Sequence, residues 1–367
     1  MMQNKKIKDT VITYVFSNSK RSSMMENKEE YSEEFFYGYY SLKNRYKTNL
    51  VEFSEEGNIF YIVDKLISKF SNMPIFFSFV TSFKNFKIFI SSTHIIMTNQ
   101  RAAIACIPLL LILKFVNNPK VVVFNMGILG RNINYLDKFI TFLLLSLSYK
   151  IINLGVGENK LMISKYSKFK NKIMHLPFPV DLKFWKNTNK SKQYIIFVGN
   201  DSNRDFEFLK KLVSNLKQYN FLLLTNSNLK NDESVLSLEN VEIISGEFGS
   251  QNFTDKDLNT LYNKASLSII PLISGIQPSG QSVAQQSLAV GVPVLITKTK
   301  GFWTDLFTID EGIYMVDENN INTWTKKIEE ILNKKNNQIS NESQEIIKSN
   351  FSVEKFNKNL ESLIIGR

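Results

Sequence analysis

Short apolar runs alternate along this chain with longer stretches in which apolar residues recur every third or fourth position. In the first half the strand-length runs are Val11–Phe16, Leu50–Phe53, Phe86–Ser91, Val121–Phe124 and Lys150–Leu154. In the second half they are Tyr194–Val198, Phe221–Leu224, Val241–Ile244, Leu267–Ile270, Pro293–Thr297 and Ile313–Val316. Strands separated by helical segments pair in parallel, because each crossover helix brings the chain back to the same end of the sheet and covers one face. The pattern predicts an α/β chain of two doubly wound, Rossmann-like domains facing each other across a cleft. Leu136–Tyr149 reads as a mostly buried helix. "AAIACIPLLLILKFV" is interrupted by Pro108, is shorter than a membrane span, and reads as another buried helix.

One boundary stands out. "LPFPVDLKFWKNTNKSKQ" carries two prolines and then a polar, lysine-rich stretch, the composition of a linker. It separates a domain over 1–185 from one over 186–345. Residues 346–367 follow as a helical tail, with Phe351, Phe356, Leu360 and Ile364 near helical spacing, expected to pack across the surface. In doubly wound sheets ligands bind beyond the carboxyl ends of the strands, so chemistry belongs in the loops that follow them.

Composition narrows the picture. The 367 residues are 43% hydrophobic and 22% charged, as in globular domains. The single cysteine, Cys106, excludes a disulfide framework and suits a reducing, cytoplasmic setting. The apolar run Val11–Phe16 is too short for a signal-peptide core and reads as a first strand. There are two histidines, His94 and His175, and no CxxC or HExxH, so no metal site is expected. The net charge of +11 suits anionic partners: phosphorylated substrates, anionic lipid or nucleic acid. A general richness in Lys, Asn, Ile and Phe accounts for such a charge without any partner, and no nucleic-acid motif accompanies it. "SKYSKFKNK" (Ser164–Lys172) interleaves lysines with aromatics; it reads as a solvated helix face, with docking on an anionic membrane or stacking of nucleic-acid bases as the alternatives.

Two loops carry the candidate chemistry. In "GIQPSGQSVAQQSLAVGVPVL", Ser279 or Gly280 caps a short helix near Ser282–Val290, which Gly291 ends and Pro293 keeps from resuming. The helix mouth offers unpaired backbone N–H groups and a partial positive charge, and Gly280 lets a ligand approach the main chain. That is either a plain capped helix or an anion site suited to a diphosphate. "YIIFVGNDSNRDFEFLKKLVSNL" is strand, glycine turn and helix. Ser202 with Asp205 resembles a capping box, which places Arg204 in the first helical turn. A cation is unfavourable there against the helix dipole unless it meets an anion; pairing with Asp205 or Glu207 is the alternative.

Together "YIIFVGNDSNRDFEFL", "VEIISGEF", "LNTLYNKASLSIIPL" and "SVAQQSLAVGVPVLITKTKGFW" resemble, in order, the carboxyl-terminal half of GT-B glycosyltransferases of the large retaining family called group 1 glycosyl transferases. "KIMHLPFPVDLKFW" resembles that family's linker and "FSVEKFNKNLESLI" its last helix, so the likeness runs over roughly 150–367. The resemblance implies a retaining hexosyl transfer in polysaccharide or glycolipid biosynthesis. A nucleotide-diphosphate sugar would be the co-substrate, with no other cofactor and no metal, and a glycan or lipid-linked molecule the acceptor. It implies that Arg204 and the amides of Gly280, Gln281 and Ser282, beside Gly199 and Ser279, hold the diphosphate. Gln286, at the position of a family glutamate, would hold the ribose, and the base would lie against Ile244–Gly246. A second family glutamate falls on Pro278, so Gln277 or Gln281 would have to replace its contact with the sugar. Asn200 stands where a second basic residue is expected. "VVVFNMGILGRN", with Asn125 and Arg131, lacks the histidine often found there. These departures leave room for a binding-only homologue.

Two weaker patterns read as structure. "INLGVGENK" is a strand-to-helix turn lacking the third glycine of a dinucleotide fingerprint. "EEFFYGYYSLKNRY" is an aromatic, packed helical segment with Gly38 at a close approach.

Overall fold

A computed structural model describes residues 10–17, 20–52, 66, 83–129, 135–188, 190–246, 253–302, 304–306, 312–334, 339 and 341–366. The chain divides into two compact units. Unit 1 takes Met1–Glu26, Phe35–Pro177 and Phe356–Arg367; unit 2 takes Asn27–Glu34 and Phe178–Lys355.

Unit 1 is built on a parallel sheet of six strands in the order β2-β1-β3-β4-β5-β6. The strands are β1 (Val11–Phe16), β2 (Lys47–Glu52), β3 (His94–Met97), β4 (Lys120–Asn125), β5 (Lys150–Asn153) and β6 (Ile173–His175). β3 and β4 run almost without a polar break because helices cover a parallel sheet on both faces. One such layer comprises α1 (Phe83–Ile90), α2 (Gln100–Ala105), α3 (Ile107–Val116), α4 (Tyr135–Leu147) and α5 (Val156–Lys165). It buries Ala102, Leu110, Leu113, Leu144 and Leu145 with Ile95, Val121 and Val123.

Three sequence expectations are corrected here. Phe86–Ser91 lies in helix α1, not a strand: Lys84 and Lys87 face solvent and Phe89 is buried, a spacing of three. The strand is the next run, His94–Met97. The long apolar stretch makes two helices, because Pro108 has no N–H to donate and is tolerated only in the first turn of α3. Nor are α3 and α4 the buried helices expected; Leu111, Ile112, Phe115 and Val116 of α3 and Tyr135, Leu136, Phe139 and Phe142 of α4 are exposed, whereas Ile107, Leu110, Leu113, Ile140, Leu144 and Leu145 face inward.

Unit 2 is a second parallel six-stranded sheet, ordered β12-β11-β10-β7-β8-β9. Its strands are β7 (Tyr194–Val198), β8 (Phe221–Leu224), β9 (Val241–Ile244), β10 (Ala265–Ile270), β11 (Val294–Thr297) and β12 (Ile313–Val316). Its helices include α6 (Phe206–Asn215), α7 (Asp255–Lys264), α8 (Gln281–Ala289) and α9 (Ile321–Asn333). Phe208, Leu209 and Leu212 of α6 pack with Trp324, Ile328 and Ile331 of α9 on one face. Val283, Ala284 and Leu288 of α8 pack with Tyr262 of α7 on the other. From β7 the chain winds outward through β8 and β9, then restarts beside β7 at β10 and winds the opposite way. The strand order therefore reverses between β7 and β10.

The proline-rich linker lies inside unit 2, because Val180 pairs with Phe351 and Val353 through the main chain and Trp185 is buried in the core. The units part at Pro177–Phe178. The last helix, α10 (Val353–Ile365), counts with unit 1 from Phe356 onward, where Phe356 lies 6.0 Å from the Phe124 ring and Glu361 bonds Tyr46 and Arg45. In the same unit Gly38 takes a left-handed turn with Leu360 Cδ2 2.9 Å from where a Cβ would sit, the tight approach expected of it. Residues 27–34 belong to unit 2 although the strands before and after them belong to unit 1: Ser32 donates twice to Asp255, and Glu30 pairs with Lys256 at 2.8 Å.

Candidate functional site

The exits of β7 and β10 are stitched together. Arg204 and Leu272 form an isolated antiparallel bridge, Ile273 N–H donates to Asn203 O at 2.8 Å, and Asp205 N–H to Pro271 O at 3.0 Å. Asn319 clamps the junction, donating to Asp205 Oδ2 and Leu272 O. Asp205 itself is the N-cap of α6, accepting from Phe208 N–H at 2.9 Å. Arg204 therefore precedes the helix rather than sitting in its first turn. The dipole argument does not apply to it; its burial does.

Arg204 is 4% exposed. Its Nε and Nη1 have no hydrogen-bond partner, although Nη1 lies 3.3 Å from Asp201 Oδ2 in an ion pair without hydrogen-bond geometry. Burial holds the guanidinium below its usual range, which nearby Asp201 opposes. A buried cation with unspent donors is costly unless something anionic completes it. The side chain lies over Gly199, where any Cβ would collide with Arg204 Nε. Its Nη1 is 3.8 Å from the point where a Cβ of Gly280 would be.

Gly280 is the N-cap of α8, left-handed at φ 76°, with no side chain capping the helix. A Cβ there would come within 2.8 Å of Ile270 Cγ2 at the end of β10. Glycine is thus required twice, by the turn and by the packing. Gly280→Ala is expected to cost about 2–4 kcal/mol, summing left-handed strain and crowding. A fall in urea midpoint at unchanged m-value would show it. The mouth of α8, the unspent guanidinium and Gly199 thus meet where the strand order reverses, the place at which open α/β sheets bind ligands. An anion there would face main-chain N–H groups and forked donors together.

The other expected residues fall around this centre. Gln281, in the first turn of α8, is buried, and Ser279 and Ser282 are half-buried. Asn200 is committed to loop order: Nδ2 donates to Gly246 O at 2.9 Å, and Oδ1 accepts from Thr225 and Asn226. It joins the exits of β7, β8 and β9, so Ile244 and Gly246 are held on the same side as Arg204. Gln286 lies deeper in α8, is buried, and donates from Nε2 to Glu34 Oε1 at 3.0 Å. Pro278, in the position of a family glutamate, is half-buried.

Two residues escape sequence reasoning. Glu34 is 1% exposed and gathers Gln286, Trp185 Nε1 (2.7 Å) and Asp181 N–H (3.1 Å). Burial first and Asp255 second push its carboxyl up to about 8, against those hydrogen bonds. The only signal was an acidic pair at the start of an aromatic segment in the other half of the chain. Gln285 is fully buried with neither amide atom bonded, one turn along from Gln281 on the same face. Its signal was a glutamine pair in a small-residue helix.

In unit 1, Asn125 is buried and structural, donating to Asn153 Oδ1 at 2.7 Å and accepting from Ile128 N–H. Arg131 lies outside the described residues. His94 begins β3, at the amino end of its strand; burial and then Lys120 push its imidazole down to about 4, so it is neutral at pH 7. Among the described residues no three acidic, histidine or cysteine side chains gather as metal ligands.

Residues 181–350 match the model of the family described as glycosyl transferases group 1. No curated protein matches the chain by sequence. Solved structures match over nearly the whole chain. A glycosyltransferase from Rickettsia africae is 15% identical, with 96% of this chain and 97% of that one covered and a TM-score of 0.66. Sucrose-phosphate synthase from Thermosynechococcus elongatus is 13% identical, with 97% and 98% covered and a TM-score of 0.68. Anabaena HepE, solved in complex with UDP-glucose, is 12% identical, with 97% and 100% covered and a TM-score of 0.69. At these identities the likeness is one of fold, and the fold is GT-B.

Proposed function

We propose that the chain, whose residues 181–350 match the group 1 glycosyl transferases, moves a sugar from a nucleotide-diphosphate sugar to a glycan or lipid-linked acceptor, with retention. The observation that carries this reading is the buried Arg204, with Nε unbonded and Nη1 held only by the ion pair to Asp201, beside the glycine-capped mouth of α8. The complexes of HepE with UDP and with UDP-glucose support a donor of this class.

In the proposed reaction the bond from the anomeric carbon to the diphosphate oxygen breaks, and one to the acceptor oxygen forms on the same face. The acceptor proton passes to the departing phosphate, so no side-chain base is required. Charge develops on the leaving diphosphate, where Arg204 and the Gly280–Ser282 amides stabilise it without reorganising. Gln281, with Gln277 as the other candidate, contacts the sugar in place of the glutamate that Pro278 replaces. Gln286 has Nε2 committed to Glu34, which leaves Oε1 to accept from a ribose hydroxyl. The guanidinium takes the part a divalent cation plays elsewhere, so EDTA is expected to leave donor binding and turnover unchanged. Loss of either on chelation, restored by added metal, contradicts this. The fully buried, single Cys106 suits the reducing cytoplasm as the setting.

Pro278 and the absent histidine favour a second reading, a homologue that binds donor without transferring its sugar. Incubation with UDP-, GDP- and ADP-sugars, with and without mixed acceptors, separates the readings. Acceptor-dependent release of nucleoside diphosphate supports transfer. Binding without release supports the second reading, and absence of binding removes both.

A further inference from the structure

Unit 1 carries a surface that the donor site does not explain. Among the described residues thirteen large hydrophobic side chains are exposed, and eight of them lie on the neighbouring helices α3 and α4. Phe115 is 88%, Tyr135 89% and Phe139 61% exposed. Water-facing apolar groups concentrated in this way mark an interaction surface.

Charge follows the same segment. Residues 83–172 hold thirteen Lys/Arg and two Asp/Glu, which leaves thirty-two of each sign in the rest of the chain. The whole net charge of +11 therefore resides here. The two acids, Asp137 and Glu158, are buried, so this stretch presents no exposed carboxylate among its described residues. Phe142 of α4 packs edge-on against Phe169 at 5.4 Å, which sets the lysine-rich turn Ser167–Lys172 beside the apolar face. Where α3 and α4 end, a pocket of about 230 Å³ is lined by Lys114, Lys120 and Lys172 with serine hydroxyls and no acid. Burial and neighbouring Lys114 hold the Lys172 ammonium below its usual range, as expected where cations crowd without an anion.

We propose that the α3–α4 face docks on an anionic lipid bilayer, with Ile112, Phe115 and Phe139 entering the interface and Lys114, Lys138 and Lys170 meeting lipid phosphates. Apolar side chains ringed by lysines are the composition of a segment that lies in the interface plane. No helix among the described residues is long and apolar enough to cross a membrane. A second copy is disfavoured as the occupant, because a two-fold contact through this face would set lysines against lysines. The proposal does not rest on the donor-site reading.

Flotation of the full chain with phosphatidylcholine vesicles, with and without phosphatidylglycerol, tests it. Wild type is expected to float with the anionic vesicles only, and less at high salt. The paired change Lys168→Glu and Lys170→Glu should lower partitioning on the order of tenfold or more, at about fivefold per lysine lost. Phe115→Ser with Phe139→Ser should do the same while leaving nucleotide binding unchanged. Phe115→Trp provides a readout on a chain one residue from wild type: quenching by brominated lipid is expected. Overturning results are no flotation, equal partitioning of wild type and both variants, no quenching, or a wild-type dimer that Phe115→Ser dissociates without any vesicle binding.

Discussion

Arg204→Ala is expected to abolish the rise in melting temperature that a saturating nucleoside diphosphate gives the wild-type chain. The guanidinium is buried, and its Nε and Nη1 have no hydrogen-bond partner, Nη1 being held only by the ion pair to Asp201. A diphosphate entering there gains two charge-assisted hydrogen bonds in surroundings that screen them poorly. Their loss should weaken binding by about 3 kcal/mol or more, on the order of a hundredfold. The unliganded variant should lose little stability, since removing an incompletely partnered buried cation offsets the lost packing. Arg204→Lys should recover only part of the affinity, because one ammonium cannot present two forked donors. Calorimetric titration at fixed ionic strength reads all three chains. Equal affinity in wild type and Arg204→Ala would take Arg204 out of the site.

Glu34 should contribute a large share of the pH dependence of stability, beside Glu158. Its carboxyl is pushed up to about 8 by burial, from 4.5 in an ordinary setting. Between those values the folded chain holds a proton that the unfolded chain has released. Stability from this group is therefore full below about pH 4.5 and falls as pH rises through 8. The loss can reach about 4 kcal/mol, because burial outweighs the hydrogen bonds by which Trp185 and Gln286 favour the ionised form. Glu34→Gln keeps an acceptor for Trp185 Nε1 and cannot ionise. Its unfolding free energy should fall less than that of wild type across that window, keeping the loss from buried Glu158, whose carboxyl is pushed up to about 7, and should exceed wild type above pH 8. Parallel pH profiles for the two chains, followed by urea unfolding, would show that Glu34 is not the titrating group.

The strands of unit 2 were legible because each apolar run is bounded by turn residues. Gly291 and Pro293 fix where α8 ends and β11 begins. Gly280 was legible for a local reason, a side-chain-free residue before a short helix, and the left-handed cap agrees with it. What was hidden was non-local. Phe86–Ser91 has strand composition, yet the following run His94–Met97 takes the place beside β1, and neighbours rather than propensity decide such cases. β6 is three residues long and gives no periodic signal. Nothing in residues 27–34 indicates that they join unit 2, and so nothing indicates that Glu34 meets Gln286. Arg204 was singled out on a dipole argument that its position ahead of α6 removes; its burial could be read only from the folded chain. The exposure of α3 was missed because a wholly apolar helix reads as core whatever covers it.

A crystal structure of the full chain with a nucleoside diphosphate bound tests the Arg204 and α8 anion site directly. Phosphate oxygens are expected within hydrogen-bond distance of Arg204 Nε or Nη1 and of backbone N–H groups from Gly280 to Ser282, beyond the ends of β7 and β10. A diphosphate bound elsewhere, with Arg204 still buried and its Nε still unbonded, would contradict that placement.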